Sequence, residues 1–104
     1  MTIRLFAGSL ELGNVESRII DASMGVIGGE LKPSNTYLES FQAFFRSYNQ
    51  QPDWVRLQVM NLSAVSSSYG VLKAAGGICV TDIEGFAEIE VEICGVEYQI
   101  TSKL

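Results

Sequence analysis

Glutamate recurs at every second position late in the chain, as Glu88, Glu90 and Glu92, alternating with Ile89, Val91 and Ile93. A period of two belongs to an extended strand, so the carboxylates share one sheet face and the aliphatic side chains the other. The alternation resumes beyond Cys94-Gly95, where Val96, Tyr98 and Ile100 stand against Glu97, Gln99 and Thr101. Read as a two-residue hairpin turn, Cys94-Gly95 sets Ile93 opposite Val96, Val91 opposite Tyr98, Ile89 opposite Ile100, and Glu92 opposite Glu97. Like charges opposed across a hairpin are destabilising by several tenths of a kcal/mol. Such a ridge keeps a strand soluble and its edge unpaired, and it can also dock a basic partner.

Acid–base catalysis is a poorer use of these groups. Paired carboxylates catalyse when burial sets their pKa values apart, whereas Glu90 with Glu92, or Asp82 with Glu84, fall on what reads as a solvated face. The chain has no His, which excludes Ser-His-Asp and Cys-His nucleophilic designs. Cys79 and Cys94 are too far apart for a CxxC motif and have no companions to complete a zinc site; they read as free thiols, one in a strand and one in a turn. Gly8 and Gly13 have the glycine spacing of a phosphate-binding loop, but Asn14-Val15 stands where Lys and a hydroxyl residue would reach phosphate and Mg²⁺. Asp82-Ile83-Glu84-Gly85 is only a fragment of an oxygen-rich metal loop. The expectation is a protein that is not an enzyme and carries no metal or cofactor.

Charge narrows the partners further. The chain carries 7 Lys+Arg against 12 Asp+Glu, a net charge of -5. Its basic residues, Arg4, Arg18, Lys32, Arg46, Arg56, Lys73 and Lys103, are scattered singly and form no stripe to neutralise phosphates, which argues against nucleic acid. An acidic chain is steered toward basic proteins and away from anionic membranes. The N-terminus lacks the pattern of a secretory signal, and no apolar run reaches the roughly 18 residues that cross a bilayer. A cytoplasmic, non-membrane protein is expected.

The elements that would position these groups are short. At 104 residues and 47% hydrophobic, the chain fits one domain spanning 1–104. Residues 2–12 read as a strand with a bulge or tight turn at Gly8-Ser9, ended by Gly13-Asn14. Arg18 to Ile27 reads as a second strand bent at Gly25, with Gly28-Gly29 turning the backbone. Tyr37, Leu38, Phe41, Phe44, Phe45 and Tyr48 fall on one stripe of a helix from about Ser34 to Tyr48. Ser34 or Thr36 would cap that helix, with a capping box to Glu39; Asn35, Glu39, Gln42 and Arg46 would face water. Val55, Leu57 and Val59 alternate as a further strand, which leaves Trp54 on its opposite face as an interface candidate. Ser63 to Ser68 fits either a loop or an edge strand. Tyr69 to Lys73 and Ile78 to Ile83 read as two strands of a hairpin turning at Ala74 to Gly77.

The fold class expected is α+β, a mostly antiparallel sheet of six or seven short strands with one amphipathic helix on one face. The function expected is a non-catalytic cytoplasmic interaction protein, inhibitor- or adaptor-like, that presents Glu88, Glu90, Glu92 and Glu97 to a basic protein. A self-associating subunit using Trp54 or a free strand, hence a homo-oligomer, is the alternative. A small-ligand binder or enzyme with a pocket under the helix comes third.

Overall fold

The computed structural model describes residues 1–101, the side chain of Tyr98 excepted. Lys103, one of the scattered basic residues, and the last residues of the 1–104 domain lie outside that description. The chain is mixed helix and strand, as expected. Its strands, however, form an antiparallel sheet that curls into a half-barrel.

Strand β1 (Thr2–Ala7) turns at Gly8-Ser9 into β2 (Leu10–Glu16), and β3 (Arg18–Asp21) follows directly. Both β2 and β3 pair with β4 (Val26–Pro33) in one continuous register, from Gly13 opposite Pro33 to Arg18 opposite Gly28. Thus Gly13-Asn14 does not end a strand; a bulge between Leu5 and Phe6 in the β1 ladder absorbs the phase shift there. Gly28 makes no turn either. It lies inside β4, where a Cβ would collide with the carbonyl oxygen of Val91, so glycine is what allows the two backbones to pair.

β1 pairs on its other side with β5 (Leu62–Ser66), and β5 with the two-residue β6 (Gly70–Val71). Ser63 to Ser66 is therefore interior strand, and Ser66 Oγ turns the chain by accepting from the backbone N–H groups of Ser68 and Tyr69. β4 continues through β8 (Glu90–Cys94) to β7 (Gly77–Thr81). β6 and β7 thus sit at opposite ends of the order β6-β5-β1-β2-β4-β8-β7 and are not the hairpin expected from Ala74 to Gly77. The chain there crosses from one edge of the sheet to the other.

The helical layer closes the concave face. A π-helical turn (Tyr37–Phe41) leads into α1 (Gln42–Gln50). Ser34 anchors its start: its Oγ donates to the Glu11 carbonyl at 2.7 Å and accepts from the Tyr37 N–H at 3.1 Å. The Thr36 side chain makes no cap. Tyr37 and Phe45 are fully buried against Ile3, Leu5, Leu12, Ile27, Leu31 and Val91, with Phe41 and Phe44 half-buried beside them.

Residues 54–60 overturn the expectation of a strand: they form α2 (Trp54–Met60). Local signals decide this. The Asp53 side chain accepts from the Arg56 N–H at 3.1 Å and Asn61 adopts a left-handed φ of 54° just past the helix, so both ends are capped. Leu57 and Met60, three apart, pack against the core, while Val55 and Val59 point into solvent at 71% and 79% exposure. The C-terminal hairpin is also absent. After β8 the chain forms a helical turn, α3 (Tyr98–Thr101), because Ile100 and Thr101 donate their N–H groups to the Glu97 carbonyl.

Candidate interaction face

Two polar constellations stand out, one buried and one exposed. The buried one centres on Asp82, just past β7 and 0% exposed. Tyr37 Oη donates to its Oδ2 at 2.6 Å, Gln42 Nε2 to the same oxygen at 3.2 Å, and Arg46 Nε to Oδ1 at 3.1 Å. Gln42 and Arg46, expected to face water, instead reach inward along the helix. Burial, followed by the bond to Asp82, holds the Tyr37 phenol well above its usual range.

Asn49 completes this attachment. Its Nδ2 donates to the Val80 carbonyl at 3.3 Å and its Oδ1 accepts from the Asp82 N–H at 2.8 Å. One side-chain amide thus occupies the outer edge of β7 as a neighbouring strand would, which protects that edge from another chain. Both carboxylate oxygens of Asp82 are engaged and Tyr37 and Phe45 are buried beneath the helix, so this constellation fastens a helix to a sheet. At helical period Gln42 and Arg46 fall opposite the apolar stripe, so the sequence carries no signal of this constellation, and the partner 36 residues from Arg46 is visible only in the fold.

The exposed constellation is the acidic ridge, and the structure keeps its strand half. Glu90 and Glu92 alternate with buried Val91 and Ile93 on β8 and face solvent, and Glu88 is exposed just before the strand. A residue that sequence reasoning missed joins them. Glu30 on β4 lies directly opposite Glu90, a pairing that no local pattern announces because sixty residues separate the two. Glu97 is not opposite Glu92; it is exposed beyond β8, at the entry to α3. Trp54 does not share the sheet face. It stands 66% exposed on α2 with its ring edge-on to Tyr48, centroids 5.7 Å apart.

Pairing sets this half of the outer face apart from the other. Glu11 accepts from Arg4 Nε at 2.6 Å, Glu16 accepts from Thr2 Oγ1 at 2.6 Å and from the N-terminal ammonium at 3.1 Å, and in each case the hydrogen bonds to the carboxylate lower its pKa. Among the described residues Glu30, Glu88, Glu90 and Glu92 have no cation within 4.0 Å, although Arg18 lies in the same row across Gly28 from Glu92. Cys79 is opposite Glu92, and Cys94 lies two residues further along β8. Both are free thiols on strands, which corrects the expectation of one in a turn. Burial, with Glu92 and Cys79 adding to it, raises the Cys94 thiol above its ordinary range.

No family model, curated protein or solved structure matches the chain. Among the described residues no helix is long and apolar enough to cross a membrane.

Proposed function

We propose that the protein is a non-catalytic interaction module that docks a basic protein partner on the outer face of β4 and β8, in a reducing compartment such as the cytoplasm. One observation carries this reading. Glu30 and Glu90 oppose each other with Glu92 beside them, and among the described residues no cation lies within 4.0 Å of any of the three. Folding alone gains nothing from that arrangement, since like charges facing across strands repel. A docked cationic surface relieves the repulsion and draws its partner by long-range attraction.

The test is the double variant Glu90→Gln/Glu92→Gln against wild type, with a basic protein captured at low ionic strength. Slower association by the variant, and collapse of the difference at high salt, supports the reading, because exposed charges act mainly on encounter. Equal association rates at low salt remove it.

Self-association is the second reading, favoured by the apolar outer side of α2, where Trp54, Val55 and Val59 are each at least 66% exposed. Salt separates the two, since association through that side persists at high ionic strength.

A further inference from the structure

The acidic ridge ends in a cleft of about 450 Å³ lined by Thr81, Ile83, Phe86, Ala87, Glu88 and Glu90. Its apolar part is built by the loop between β7 and β8. There Phe86 donates its N–H to the Ile83 carbonyl at 3.1 Å and Gly85 takes a φ of 92°, the left-handed value that the third residue of a type II turn needs. This tight turn holds Ile83 and Phe86 at the surface, 47% and 68% exposed. The opposite wall is acidic: Glu90 is paired with Thr81 on one side and Glu30 on the other, so the rim of the cleft is continuous with the ridge. Among the described residues that line it none is basic.

An apolar platform with an exposed aromatic ring and a carboxylate rim is complementary to one kind of side chain. Arginine has an aliphatic stem to lie on Ile83 and a planar guanidinium that stacks on a phenyl ring while its fork donates to carboxylates; lysine offers a point charge without the fork or the plane. We propose that this cleft receives an arginine side chain of the basic partner and is the anchor of the docking face. This proposal rests on the acidic-face reading and adds to it the residue type recognised and the place where it binds.

The test titrates the ¹⁵N-labelled chain at low salt with three otherwise identical Gly/Ser peptides bearing paired arginines, lysines or glutamines, using wild type and Phe86→Ala. The expected result is that the arginine peptide shifts the amides of residues 83–90 and binds more tightly than the lysine peptide. Phe86→Ala should weaken arginine binding about two- to fivefold, the contribution of an exposed cation–aromatic contact. Since Phe86 lies at the surface, unchanged amide dispersion will verify that this variant folds.

Shifts spread over Glu30, Glu90 and Glu92, with arginine and lysine equal and Phe86→Ala without effect, would overturn the cleft proposal and leave the acidic face standing. No shift with either cationic peptide would overturn both. Equal binding of the glutamine peptide would show an apolar occupant. Concentration-dependent cleft shifts in the free protein, with a dimer in sedimentation, would show a second copy there. Either of these last two results also overturns the proposal.

Discussion

The guanidinium of Arg46 meets the buried carboxylate of Asp82 at 3.1 Å from the second turn of α1, and the same carboxylate takes the hydroxyl of Tyr37 from the π-helical turn before it. With Gln42 donating to it from the first turn of α1, three consecutive helical turns are tied to one point past the end of β7. An ion pair in this position is a device of attachment: its removal costs more than its presence contributes, because breaking it strands a desolvated charge.

Asp82→Ala should accordingly destabilise the fold by about 3 kcal/mol, the lower end for a broken buried pair because Arg46 keeps about a third of its side chain in water. The double change Asp82→Leu/Arg46→Met should cost less than Asp82→Ala alone. Denaturant melts measure both, and a loss under about 1 kcal/mol for Asp82→Ala would mean that the network is ornamental.

The aromatic stripe of the helix is unequal in depth. Phe45 is 1% exposed, stacked on Tyr37 and edge-on to Phe44, whereas Phe44 is half-buried beneath the Arg56 guanidinium at 5.0 Å. Phe45→Ala should cost on the order of 3 to 5 kcal/mol, and Phe44→Ala clearly less. Equal losses in urea melts would contradict this order.

Alkaline pH should reveal Tyr37. Its folded-state pKa is raised by burial and by the bond to Asp82, while the unfolded phenol titrates near 10. The stabilisation is therefore complete below about pH 10 and is lost as pH rises beyond it, since only the unfolded chain releases the proton. Denaturation midpoints of wild type should fall between pH 9 and 11 more steeply than those of Tyr37→Phe. Parallel curves would refute the assignment.

The thiols should separate kinetically. Cys79 is exposed, whereas Cys94 is half-buried with its pKa raised by burial and by neighbouring Glu92 and Cys79. With an aromatic disulfide reagent near neutral pH the native protein should show one fast and one slow thiol, because the thiolate is the reacting species. The unfolded chain should show two without prior reduction. A single unresolved phase in the native protein, or fewer than two thiols after unfolding, would count against the placement.

Local chemistry alone determined much of this protein. The helical stripe from Tyr37 to Tyr48, the alternation of Glu88, Glu90 and Glu92 with apolar residues, a bulge or tight turn at Gly8-Ser9 and the antiparallel α+β class all follow from side-chain period and turn residues, which act within a few positions. Tertiary structure decided the rest. Val55, Leu57 and Val59 alternate as a strand would, yet the caps at Asp53 and Asn61 close a helix, and only its packing through Leu57 and Met60 shows which side meets the core. Gly28 resembles a turn former until Val91 is set against it. The facing of Glu30 and Glu90, and the convergence of Tyr37, Gln42 and Arg46 on Asp82, join parts of the chain 36 to 60 residues apart. Such contacts have no period to betray them, because strand order and the curl of the sheet choose the partner.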